Sequence, residues 1–116
     1  MKVDPKGARA RVVKNRKESR IKQLRVPGEA LPGSLALIHR KCGTKTCHCA
    51  TGERHPLWLL TYMRDGKKQV ERIPDEWVQY VQQQVEKGKR FKEDVNQIFL
   101  ANAELLVLLR KEKQRQ

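Results

Sequence analysis

An α+β fold is predicted for this chain: a small antiparallel three-stranded sheet holding a cysteine- and histidine-rich loop, followed by two C-terminal helices and preceded by a basic N-terminal arm. Three observations predict it. LALIH (35–39), LWLLTYM (57–63) and KQVERI (68–73) read as short strands separated by turn-forming residues. KCGTKTCHCATGERH (41–55) lies between the first two of them and holds every cysteine, Cys42, Cys47 and Cys49, with His48 and His55. From residue 75 onward the apolar residues recur at helical spacing.

The chain has 116 residues and no long low-complexity linker, the size of one domain. Apolar residues make up 38% and charged residues 34%, so the core is modest. No run approaches the roughly 18 apolar residues that a membrane-spanning helix needs, and no membrane partner is expected. MKVDPKGARARVVKNRK is basic but is followed by no apolar stretch, so it does not read as a secretory signal. The expected location is therefore cytoplasmic, where thiols stay reduced. The 26 Lys and Arg against 13 Asp and Glu leave a net charge of +13, and a polyanion is the expected partner.

Three segments follow. Residues 1–34 are the basic arm, whose first 25 residues carry ten basic side chains against Asp4 and Glu18. The apolar residues between Ala8 and Leu24 (Ala10, Val12, Val13, Ile21, Leu24) are sparse, which predicts an arm that is disordered when free, or helical only once an anion neutralises it. The plainer alternative is a solvated tail. Pro27-Gly28 and Pro32-Gly33 punctuate its end.

Residues 35–74 form the sheet. Asp65-Gly66 between the second and third runs is a strong hairpin signal, because a type I′ turn needs positive φ at both central positions. LWLLTYM is apolar on both of its faces, as expected of the middle strand. Pro74 ends the sheet, since it has no N–H to donate.

Residues 75–116 are helical. Asp75 is the expected cap of a first helix, with Trp77, Val78, Val81 and Val85 as its apolar stripe and Gly88 as its stop. A second helix from about Lys89 carries Phe91, Val95, Ile98, Asn102, Leu105 and Leu109 at alternating spacings of four and three, a heptad seam with one Asn. Val95, Ile98, Asn102, Leu105 and Leu109 are thus candidates for homodimerisation or for docking a protein partner; packing on the chain's own sheet is the alternative. Phe99, Leu100, Leu106, Val107 and Leu108 widen the apolar surface beyond that seam.

The cysteine cluster has the spacing Cys42-x4-Cys47-x-Cys49-x5-His55. Three thiolates and an imidazole are the ligand set of a closed, structural Zn2+ site, a zinc knuckle. Lys41, Lys45 and Arg54 flank the ligands, and their positive charge favours thiolates. His48 and His39 are alternatives to His55 as the fourth ligand. Unligated structural thiols and a redox or catalytic thiol are the competing readings. Three cysteines and a histidine leave no open coordination position for a catalytic metal.

The order GSLALIHRKCGTKTCHCATGERHPLWLLTYMRDGKKQVERIP, followed by helix and NAELL, resembles a family of small uncharacterised bacterial domains associated with mobile genetic elements and transposase-like neighbours. The likeness covers about residues 33–106: a Gly-Ser-Leu opening, Cys-Gly, Cys-x-Cys, Gly-x-x-His, an Asp-Gly-Lys hairpin and a closing helical pair. His55-Pro56 departs from the family's His-Gly-Pro. The resemblance implies zinc and a nucleic-acid setting, and it carries no activity with it.

Function read from these residues is nucleic-acid binding dominated by phosphate contacts, DNA or RNA, within a nucleoprotein assembly. The candidate contacts are Arg9, Arg11, Lys14, Arg16, Lys17, Arg20, Lys22 and Arg25 in the arm and Arg40, Lys41, Lys45, Arg54, Lys67 and Lys68 around the sheet, with Arg72 beside them. Trp58, Tyr62, Trp77, Tyr80, Phe91 and Phe99 are spaced as packing residues, so base stacking is not indicated. A protein adaptor is the alternative reading. No nucleophile–base pattern, phosphate-cradling glycine loop or carboxylate pair is visible, and an enzyme is not expected.

Overall fold

The computed structural model describes residues 1–40 and 55–114. The elements run α1 (Ala8–Gln23), β1 (Ser34–Arg40), β2 (His55–Arg64), β3 (Lys67–Ile73), a 3-10 turn (Asp75–Trp77) and α2 (Val78–Gln114). The chain is thus α+β, and it divides into two compact units, Gly28–Lys89 and Met1–Pro27 with Arg90–Gln116.

The sheet unit has the strand order β1-β2-β3 with both pairs antiparallel. The apolar run LWLLTYM is the middle strand, as its two apolar faces require. Asp65 and Gly66 have φ of 53° and 78°, the positive values that a tight hairpin turn demands. Leu35 pairs with Leu60 and Trp58 with Ile73, which puts all four on one face. That face packs on the first turns of α2: Leu60, Val81 and Val85 are buried, with Leu31, Leu35, Tyr62 and Ile73 around them.

The start of α2 differs from expectation in two ways. Asp75 makes no capping bond; it opens the 3-10 turn behind Pro74, and the Trp77 N–H donates to the Pro74 carbonyl at 3.0 Å. Trp77 does not join the apolar stripe and is 58% exposed, because the 3-10 turn carries it off the helical face that Val81 and Val85 share.

Gly88 does not stop a helix. α2 is one helix of 37 residues, not two. A Cβ at Gly88 would lie 2.7 Å from the Leu31 carbonyl oxygen, and the Leu31 N–H donates to the Gln84 carbonyl at 3.1 Å. The glycine serves close approach of a backbone segment, and neighbouring intrahelical bonds offset its modest helix cost of about 1 kcal/mol.

Gly33 has φ of 83°, and a Cβ there would collide with the Thr61 carbonyl group and the Tyr62 Cβ. Replacing it therefore meets both a disfavoured backbone region and a fixed strand. Gly33→Ala is expected to destabilise the sheet unit by about 2 kcal/mol or more, read from the denaturation midpoint. Gly28→Ala, where nothing lies within 4 Å, serves as the near-neutral control.

In the helical unit, residues Ala8–Gln23 of the N-terminal arm form a helix. α1 lacks a side-chain N-cap and has no acidic residue in its first turn, so its own sequence supports it weakly at that end. At the other end Arg20 and Lys22 favour the helix dipole, and the Arg25 guanidinium donates to the Lys22 and Leu24 carbonyls, both at 2.9 Å. Packing supplies the rest. Ala10 and Val13, each 1% exposed, meet Leu105 with Ala101 and Leu108 alongside. Burying these side chains adds a few kcal/mol.

Candidate nucleic-acid interface

α1 holds seven basic residues and one acidic residue in sixteen positions, and only Ala10 and Val13 are buried. Its polarity is thus almost entirely available to display charge. The contacts made by individual cations separate them into two groups.

The first group ties the helical unit together. Arg9 Nε donates to Glu104 at 2.8 Å. Lys17 Nζ donates to Asn102 Oδ1 at 3.1 Å, so the one polar residue of the heptad seam is engaged within the chain. Lys14 Nζ donates to the Asp4 carboxylate and to the Pro5 carbonyl, the latter at 2.8 Å. Hydrogen bonds from Lys14 and then Lys6 hold the Asp4 carboxyl well below its ordinary value, and the same pairing raises the Lys6 ammonium. Lys6 is exposed and Asp4 and Lys14 are partly exposed, and pairs of this kind contribute little to stability.

The second group is Arg11, Arg16, Arg20 and Lys22, for which no carboxylate lies within salt-bridge distance among the described residues. Arg16 and Arg20 share a groove with Lys17 that α2 completes with Gln97 and Glu104, over a floor of Val13, Leu100 and Ala101. Glu104 is already engaged by Arg9. The groove therefore presents the Arg16 and Arg20 guanidinium groups on one side of the helix pair, next to Lys17, whose ammonium also donates to Asn102. Guanidinium forks and ammonium donors of this type bind phosphate oxygens directly.

In the sheet unit, Lys67 and Lys68 are exposed at the start of β3 beside the hairpin turn, and Arg72 is exposed further along that strand. The register puts Lys68 and Arg72 on the face opposite α2, opposite Met63 and Leu59 respectively. Arg40 is the last residue of β1 and pairs in register with His55, the first of β2. Lys41, Lys45 and Arg54 lie outside the described residues.

So do Cys42, Cys47, Cys49 and His48, and of His55 only the backbone position in β2 is described. The zinc-knuckle expectation therefore falls outside the described residues. Among those residues no group of three or more His, Cys, Asp and Glu side chains could hold a metal ion. His39 is an exposed residue of β1, paired in register with Pro56.

Within the heptad seam, Leu105 packs against α1 and Asn102 accepts a hydrogen bond from Lys17. Leu105 is buried against α1, not against the sheet, and only the first part of α2 packs on the sheet. Val95, Ile98 and Leu109 are half-buried on neighbouring positions. The aromatic reading also needs correction, since Trp77, Tyr80 and Phe99 are 58%, 50% and 62% exposed. The Tyr80 hydroxyl donates to Glu29 at 3.0 Å, and this bond raises its pKa. The groove on α1 was not legible as a unit, because Arg16 and Arg20 precede Gln97 by more than 70 residues.

No described helix is long and apolar enough to cross a membrane. A family model described as a domain of unknown function (DUF6788) matches residues 13–83, more than half of the chain, and the chain belongs to that family. No curated protein and no solved structure matches it. The matched span begins at Val13, inside α1, and ends in the first turns of α2.

Proposed function

We propose that this DUF6788-family chain is a small zinc-stabilised nucleic-acid-binding accessory protein that acts within a nucleoprotein assembly. The observation that carries the reading is the α1 groove, where Arg16, Lys17 and Arg20 gather on a folded helix and the carboxylate that lines the groove, Glu104, is engaged by Arg9. A net charge of +13 supplies the long-range attraction, and the groove supplies fixed phosphate donors. Affinity of this kind is dominated by the phosphate backbone and tolerates sequence, so DNA and RNA are both candidate partners.

The zinc is structural. Cys42, Cys47, Cys49 and His55 supply three thiolates and an imidazole, and the ion stabilises a sheet unit whose described residues bury a core of Leu60, Val81 and Val85. No reaction is assigned to it. A link to mobile genetic elements rests on the sequence resemblance alone. A protein adaptor is the second reading, favoured by the exposed apolar residues Phe99, Leu100, Leu106 and Val107 on α2.

Native mass spectrometry of the chain purified without chelator tests both parts, together with binding titrations on duplex DNA and structured RNA across a salt series. The expected result is one zinc per chain and an affinity that falls steeply and log-linearly with salt. A metal-free chain whose binding is absent or independent of salt would overturn the reading.

A further inference from the structure

The outward side of α1 has a pattern that charge display alone does not require. Ala8, Val12, Asn15, Ser19 and Gln23 are spaced four, three, four and four apart, which at about 100° per residue makes one stripe along the helix. The stripe lies opposite Ala10 and Val13, the side that packs on α2. All five residues are exposed, Val12 at 46%. None is charged, in a helix that carries seven basic residues and one acidic residue.

A face that served only solubility would carry its charges outermost. Here they stand on the flanks. Arg9, Arg16 and Arg20 lie about 60–100° to one side of the stripe, and Arg11 and Lys22 about 60–80° to the other. Glu18, the one carboxylate of α1, sits further round than Arg11 and Lys22, away from the stripe. We propose, on the basis of the nucleic-acid reading above, that α1 lies in the major groove of duplex DNA and reads base edges with Asn15, Ser19 and Gln23.

An α-helix with its side chains is about 10–12 Å across, and the major groove of B-form DNA is about 12 Å wide. In that seat the two cationic flanks meet the phosphates of the two strands that border the groove, and the uncharged stripe faces the base pairs. The side chains of the stripe suit those edges. Asn and Gln carboxamides pair bidentately with adenine N6 and N7, a Ser hydroxyl donates or accepts, and the Val12 methyl groups suit the thymine methyl. Asn15, Ser19 and Gln23 follow one another at a rise of about 6 Å, so together they span about three to four base-pair steps. Duplex RNA does not offer this seat, because its A-form major groove is deep and too narrow for side chains to read.

The test is selection of the full chain, purified without chelator and freed of nucleic acid, against a pool of randomised duplex DNA. Anisotropy titrations then compare the enriched duplex with a scrambled duplex of the same composition. The expected result is a short enriched motif containing adenine, bound about 10-fold or more tightly than the scrambled duplex. Asn15→Ala and Gln23→Ala are exposed, charge-neutral changes. Each should lower that ratio about 5-fold or more, with binding to the scrambled duplex and the salt slope unchanged. Arg11→Gln should weaken both duplexes alike. Salt-dependent binding without an enriched motif, or a ratio that neither Asn15→Ala nor Gln23→Ala moves, would overturn base reading by α1 and leave the phosphate-dominated function standing. Tighter binding to duplex RNA of the enriched sequence would overturn the major-groove seat. Absence of salt-dependent binding to DNA and RNA alike would overturn the nucleic-acid reading itself.

Discussion

Replacing Arg16 and Arg20 together by glutamine is expected to lower nucleic-acid affinity by about 10- to 100-fold near physiological salt, and to reduce the slope of log affinity against log salt by about 1.8. The physical basis is counterion release: each phosphate neutralised by a fixed cation contributes close to 0.9 to that slope on duplex DNA. The two arginines share one groove, so their loss removes adjacent contacts from a single stretch of backbone. Lys67→Gln with Lys68→Gln removes the same formal charge from the β2–β3 hairpin region and is expected to cost less, because those side chains are exposed on a strand without a groove around them. The check is a fluorescence-anisotropy titration of both double variants over a salt series. Equal effects from the two pairs would mean that net charge, and not the groove, governs binding.

Val13→Asp is expected to detach α1. The position is 1% exposed and meets Leu105, so an aspartate there must bury an unpaired carboxylate or break the contact. A loss of about 3 to 5 kcal/mol is the usual scale of such a change. Leu105→Ala removes the other side of the same contact and is expected to cost about 2 to 5 kcal/mol. The measurement is circular dichroism with amide hydrogen exchange, in which the protection of Ala8–Gln23 should collapse while that of β2 persists. Binding should weaken together with the helix, although Val13→Asp changes the charge by only one unit. Unchanged affinity with α1 lost would mean that the arm works as an extended cationic tail.

That experiment bears on why the arm's structure was missed in the sequence. Ala10 and Val13 look like a weak stripe when only residues 8–24 are read, and α1 lacks the N-cap and first-turn acids that announce a helix. Its stability depends on Leu105, Ala101 and Leu108, some 90 residues away, and nothing local encodes that pairing. The groove has the same origin. Arg16 and Arg20 were legible as cations, whereas their gathering with Lys17 against Gln97 depends on the antiparallel run of α1 along α2.

The continuous α2 gives a second case. Gly88 signals a helix end by its intrinsic cost, but its missing Cβ is what admits the Leu31 backbone. A sequence signal with two physical explanations can be resolved only by the neighbour that decides between them. The Asn102 seam is similar: its heptad spacing is real, and its partner is α1 through Leu105 and Lys17.

By itself the sequence determined the α+β class, the three strands with LWLLTYM in the middle, the Asp65-Gly66 hairpin, the cationic character of residues 1–25 and the four-ligand spacing of Cys42, Cys47, Cys49 and His55. All of these rest on period, turn chemistry or short-range spacing, which neighbouring residues encode. Tertiary structure alone decided that α1 is folded, that α2 passes through Gly88 unbroken, and which apolar residues of α2 are left facing water. Those outcomes are set by contacts between residues far apart in the chain, where burying a few small side chains outweighs weak local preference.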